Sequence, residues 1–136
     1  MADRKTFRLK IVSPERLFYE GDAEFLELKT TEGEIGIYPE HISMTSIIES
    51  GVMHVVENGE TKEAALNDGF VEILPDRVTI LAEACEWPDE IDLHRAKEAK
   101  LRAERRLKSG DGNINLARAE LALRKSLTRI ELAERK

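Results

Sequence analysis

The sequence predicts an α+β protein, a β-sandwich or flattened barrel followed by an antiparallel α-helical hairpin. Three observations carry that expectation. Apolar residues recur with a period near two from Phe7 to Glu83, in runs of four to eight broken by turn formers. At Trp87-Pro88-Asp89 the pattern changes to an alanine-rich, helix-favouring stretch. Charge divides at the same point: eight basic against nineteen acidic residues over 1–89, a net −11, then thirteen against eight over 90–136, a net +5. Such a split favours an interaction or regulatory protein over a catalyst with one buried cleft.

The strand region opens with Phe7, Leu9 and Ile11 alternating with Arg8, Lys10 and Val12 until Ser13-Pro14 ends the run. Turns are expected at Glu20-Gly21-Asp22, Glu32-Gly33-Glu34, Tyr38-Pro39-Glu40, Glu57-Asn58-Gly59 and Asn67-Asp68-Gly69, each supplying the Gly, Pro or Asn that a reversed backbone needs. Gly69 to Leu74 and Arg77 to Glu83, separated by Pro75-Asp76, read as a closing hairpin. The domain boundary falls between 87 and 88, giving units 1–87 and 88–136.

In the hairpin, helix one is expected from Asp92 to Leu107 with Asp89 or Asp92 as cap. Ser109 to Asn113 breaks it, and helix two runs from Ile114 to Glu134 with Asn113 as cap. The facing stripes are Ala96, Ala99, Ala103 and Leu107 on one helix, and Leu116, Ala119, Leu123, Leu127 and Ile130 on the other. Alanine allows close approach but buries little area, so at about 25 cal/mol per Å² the seam holds modestly. The hairpin suits opening; a static cap on the sheet is the alternative.

The single cysteine, Cys85, allows no intramolecular disulfide, and no paired Cys/His spacing suggests a metal site, which fits a reducing, cytoplasmic setting. Met1 to Lys10 has the pattern of neither a signal peptide nor a membrane span. His41, His54 and His94 lie in three different elements and no nucleophile, metalloprotease or phosphate-loop motif is present, so no enzyme is expected.

The cations carry more chemistry. Arg95 and Arg102 are seven residues apart and share a helix face; Lys125 and Arg129 are four apart and share another. In an antiparallel hairpin these four can converge beside the N-terminus of helix one, and forked guanidinium groups suit a polyphosphate. Against this, Arg102 has Glu98 and Arg124 has Glu120 four positions earlier, the geometry of an ordinary helix pair. Arg129 has no acidic residue three or four positions away, and Lys125 adds like charge, so these two are expected to be unpaired. Overall acidity, with no aromatic ring in either helix, argues against nucleic acid.

Four blocks then follow in order: Ile11-Val12-Ser13-Pro14-Glu15, Gly33-Glu34-Ile35-Gly36-Ile37-Tyr38-Pro39-Glu40-His41, Asp68-Gly69-Phe70-Val71-Glu72-Ile73 and Val78-Thr79-Ile80-Leu81-Ala82. With Arg118-Ala119-Glu120-Leu121-Ala122-Leu123 in helix two, they span the chain. Their order resembles the epsilon subunit of bacterial F-type ATP synthases.

The resemblance implies about ten strands in the sandwich and a noncatalytic rotor subunit of the central stalk, coupling ion-driven rotation to ATP synthesis. Its implied partners are the gamma subunit, the ring of c subunits and the alpha/beta catalytic head. It implies a peripheral position on the cytoplasmic face of the cell membrane, held there only through the complex. Glu34 and His41 are the implied ring contacts; Tyr38 and Glu40 stand where the family block has Leu and Gly. The hairpin is implied to restrain ATP hydrolysis when extended, with Arg105, Arg106, Lys108, Arg118 and Arg124 meeting an acidic segment of the beta subunits. Ile91-Asp92-Leu93-His94-Arg95-Ala96 matches the ATP motif of some members. That match implies ATP as a regulatory ligand, with no metal required, held by Glu86, Ile91, Asp92, Arg95, Ala96, Arg102, Lys125 and Arg129. Lys125 stands where those members have arginine and lacks the fork. A stand-alone nucleotide sensor is the alternative reading.

Overall fold

A computed structural model describes residues 5–110, 112 and 115–135. It divides into two compact units, Met1–Glu86 and Trp87–Lys136.

The first unit holds eight strands among the described residues: β1 (Phe7–Val12), β2 (Leu17–Ala23), β3 (Phe25–Thr30), β4 (Gly33–Ile37), β5 (Met44–Ile48), β6 (Gly51–Glu57), β7 (Glu60–Ile73) and β8 (Arg77–Glu86). They form one sheet, ordered β2-β1-β8-β7-β5-β3-β4, with β6 pairing both β3 and β7. The sheet folds on itself as a sandwich, so that β2 approaches β6. All pairs are antiparallel except β1 with β8. Alternation in β1 sends Phe7, Leu9 and Ile11 into the core with Leu26, Leu28, Val71 and Ile80.

The strands number eight rather than about ten because two expected turns lie inside strands. Gly21 pairs with Leu9 in mid-β2. A Cβ there would stand 2.5 Å from Glu57 Oε2 and 2.8 Å from the Tyr19 hydroxyl, so the glycine admits a close approach and turns nothing. Burial, then the neighbouring Glu57 carboxylate, push the Tyr19 phenol above its ordinary range. Asn67-Asp68-Gly69 likewise lies within the fourteen residues of β7, where Asp68 (φ 41°) and Gly69 (φ 141°) bend the strand without ending it. The first half of β7 pairs with β6 and the second half with β5, so both short strands lie along one long partner. Real reversals occur at Asn58-Gly59, both at positive φ as a tight hairpin needs, and at Pro75-Asp76.

The second unit opens with a single 3₁₀ turn, Pro88–Glu90, then α1 (Leu93–Lys108) and α2 (Leu116–Glu134). Asp92 caps α1, its carboxylate accepting from Arg95 N at 3.1 Å. Ser109 and Gly110 (φ 66°) close it. The observed cap of α2 is Asn115, which accepts from Arg118 N at 3.1 Å. Asn113 and Ile114, the expected cap and first residue, lie outside the described residues. An ion pair between Lys97 and Glu134, 3.4 Å apart, ties the start of α1 to the end of α2 and makes the helices antiparallel.

The α1 stripe follows the expectation, with Ala96 and Ala103 buried and Ala99 and Leu107 half-buried. The α2 stripe is displaced: Leu116 and Leu127 are exposed, Leu123 and Ile130 half-buried, and the buried residues are Ala119, Ser126, Thr128 and Leu132. Small side chains fit a close helix–helix contact better than leucines do, and Ser126 satisfies its hydroxyl on the Ala122 carbonyl at 2.9 Å. No helix among the described residues is long and apolar enough to cross a membrane.

Candidate functional site

The Lys97–Glu134 pair settles the geometry of the hairpin cations. At about 100° per residue, Lys97 lies roughly 100° to one side of the Ala96/Ala103 line, and Arg95 and Arg102 roughly 100° to the other. On α2, Glu134 lies about 60° to one side of the Ala119/Ser126 line, and Arg129 and Lys125 about 80–120° to the other. Because Lys97 and Glu134 meet, the Ala119/Ser126 line faces α1. Arg95, Arg102, Lys125 and Arg129 therefore share the opposite side of the hairpin. Counting from the same pair puts Arg102 level with Arg129, with Arg95 about 10 Å toward the open end and Lys125 about 6 Å toward the loop. The four form a stripe of roughly 16 Å rather than a point.

Two expectations about their neighbours change. Lys125 and Arg129 are not unpaired: each interacts within the structure. Glu98 bonds His94 Nε2 at 2.8 Å, one turn away, in place of the pair expected with Arg102. Arg95 and Arg102 are exposed. Ala96 is buried in the seam, Ile91 is half-buried at the end of the 3₁₀ turn, and Glu86 is the last residue of β8 in the first unit.

Asp92 has a structural duty before any ligand is considered. Asp92→Ala is expected to cost about 1 kcal/mol through the lost cap, while Asp92→Ser keeps most of it. Amide exchange in the first turn of α1 reads the difference directly.

Arg105, Arg106, Lys108, Arg118 and Arg124 are all exposed. The first three occupy the last turn of α1, where cations also offset the helix dipole.

In the first unit the structure does not bring Glu34 and His41 into one loop. Glu34 sits near the start of β4, paired with Lys29 beside the β3–β4 turn. His41 follows the other end, in the β4–β5 connection, with Nδ1 2.8 Å from the Ile42 carbonyl. About 13 Å of strand separates Glu34 from the start of that connection. The connection presents Tyr38, stacked on Phe25 at 4.7 Å between centroids, and exposed Ile42. Glu40, at φ 67°, anchors it through its N–H to the Pro75 carbonyl at 2.8 Å.

The sequence reading missed a surface. Ile47 pairs with Phe70, Phe70 with Leu81, Leu81 with Val12, and Val12 with Leu17. Direct partners share a face, so these residues form one row across β5, β7, β8, β1 and β2. Four of them are large and exposed: Ile47 61%, Phe70 45%, Leu81 41% and Leu17 53%. The next row on that face, Thr45, Glu72, Thr79, Lys10 and Glu20, is entirely polar. A contiguous apolar row bordered by polar residues marks a binding surface. The signal was available as adjacent apolar pairs, Ile47-Ile48, Phe70-Val71 and Ile80-Leu81, where a half-buried strand would alternate.

Among the described residues no cluster of His, Cys, Asp and Glu could hold a metal ion. A β-sandwich with a sticky face, joined to a charged helical hairpin, defines a subunit of a larger assembly.

Family comparison gives that assembly. The model for the β-sandwich domain of the ATP synthase delta/epsilon chain matches residues 6–88, and the model for its long α-helix domain matches residues 89–134. The chain belongs to the delta/epsilon family of ATP synthase subunits, and to its epsilon type. It is 43% identical over 132 residues to the ATP synthase epsilon chain of Caldanaerobacter subterraneus subsp. tengcongensis, covering 96% of each. It is 43% identical over 131 residues to that of Shouchella clausii, covering 96% of this chain and 97% of the relative. The same fold occurs in the Euglena gracilis mitochondrial ATP synthase OSCP/F1/c-ring assembly, with TM-score 0.82 at 20% identity over 95% of this chain and 81% of the other.

Proposed function

We propose that this chain is a noncatalytic rotor subunit of the central stalk, coupling ion-driven rotation to ATP synthesis. The observation that carries the reading is the exposed apolar row across five strands, which suits a permanent protein partner. That partner is the gamma subunit, and the β4–β5 connection with His41, Tyr38 and Ile42 faces the c ring; Glu34 is a separate contact. Through these the chain lies at the cytoplasmic face of the membrane without entering it. Mixing with purified gamma should give a stable complex on size exclusion; a well-folded chain with no affinity for gamma would refute the reading.

The hairpin adds regulation to this role. Its exposed cations Arg105, Arg106, Lys108, Arg118 and Arg124 suit an acidic segment of the catalytic head, restraining ATP hydrolysis in a salt-sensitive way. The stripe of Arg95, Arg102, Lys125 and Arg129 suits the phosphates of ATP, beside Ile91 and Asp92, and bound ATP would favour the folded hairpin. Calorimetric titration should show saturable ATP binding that weakens at least tenfold in Arg129→Ala, the loss of one charge-assisted contact. Equal affinity in both proteins would remove ATP from the reading and leave the rotor role intact.

A further inference from the structure

The cation stripe can hold phosphates, yet none of its members recognises a base. Ile91 is aliphatic and Ala96 is buried in the helix seam. The second unit contains one aromatic ring, Trp87, half-buried at its first residue. Two hydrogen bonds fix its backbone: Trp87 N–H donates to Glu90 Oε1 at 2.9 Å, and Glu90 N–H donates to the Trp87 carbonyl at 3.0 Å. Pro88 stiffens the turn between them, and that turn packs against α2. Five residues, three of them coiled in the turn, separate Trp87 from the Asp92 cap. Trp87 thus stands toward the open end of the hairpin, where the stripe ends at Arg95. A nucleotide laid along the stripe with its phosphates at Arg102 and Arg129 brings its base toward that end.

We propose that Trp87 is the stacking platform for the purine base of the bound nucleotide, an inference that rests on the ATP reading above. An indole held on a fixed backbone loses little freedom on binding. Stacking of one base on an aromatic ring is worth enough to change affinity about tenfold or more. It also makes the site select a nucleotide over bare polyphosphate.

The test compares ATP with inorganic tripolyphosphate by calorimetry on the full chain, using native protein, Trp87→Leu and Trp87→Phe, each checked by thermal melting. Trp87→Leu should bind ATP at least tenfold more weakly and tripolyphosphate as the native chain does, while Trp87→Phe keeps most of the ATP affinity. As the chain's one tryptophan, Trp87 should also change emission with ATP along the calorimetric isotherm. Native ATP affinity in Trp87→Leu overturns the platform and leaves the ATP site standing. Equal weakening of ATP and tripolyphosphate shows a scaffolding residue and also overturns it. Failure of the native chain to bind either ligand removes the ATP reading and the platform together.

Discussion

Gly69→Ala is expected to lower the melting temperature of the sandwich by about 20 °C, a loss on the order of 4 kcal/mol. Two penalties combine. The residue holds φ at 141°, which L side chains rarely adopt, and a Cβ there would stand 2.0 Å from the Leu81 carbonyl oxygen. That oxygen belongs to the backbone of β8, so no side-chain rotation relieves the clash; the strands must part where β7 bends. Gly33→Ala separates the two effects, since Gly33 has φ 116° but nothing within 4 Å of the added atom. It should cost only about 1 kcal/mol. Circular dichroism melts of the two variants decide the matter, and comparable losses would show that torsional strain, rather than collision, dominates at Gly69.

Phe70→Asp is expected to weaken binding to gamma by at least about 30-fold, the effect of losing a central anchor and placing a carboxylate in a dry contact. Phe70 stands in the middle of the apolar row, between Ile47 and Leu81. Its side chain points outward, so the melting temperature should fall by no more than a few degrees. Glu72→Ala, in the neighbouring polar row, should change affinity little. Surface-immobilised gamma and the three proteins suffice for the measurement. Unchanged affinity in Phe70→Asp would move the gamma contact to another face of the sandwich.

Much of the fold could be read from periodicity, because Phe7, Leu9 and Ile11 obey a strict alternation that only a half-buried strand requires. Glycine was harder to read. Gly21 and Gly69 signal that a side chain is not tolerated, and sequence alone does not say whether a turn or a neighbouring strand is the reason. At both positions the neighbour is the reason. The displaced α2 stripe has a similar origin: a reading weighted by hydrophobicity follows Leu116 and Leu127, whereas a close helix contact favours Ala119 and Ser126. The cation faces were legible within each helix from spacings of seven and four. Their shared side was not fixed until Lys97 and Glu134 tied the rotation of one helix to that of the other. The split between Glu34 and His41 was hidden because a contiguous block of residues reads as one loop, although five of them form β4.

The collinear arrangement of β5 and β6 along β7 has a mechanical consequence. In many sandwiches the two layers meet only through side chains, and a sideways push can slide one over the other. Here β7 and β8 are bonded to each other on both sides of the bend at Asp68-Gly69, through Ala65 to Asn67 and again through Gly69 to Ile73. A twisting force applied at one layer is carried into the other along covalent backbone, with the hydrogen bonds of both halves loaded in shear together. Such a body transmits torque with little internal give, the property a shaft fitting needs.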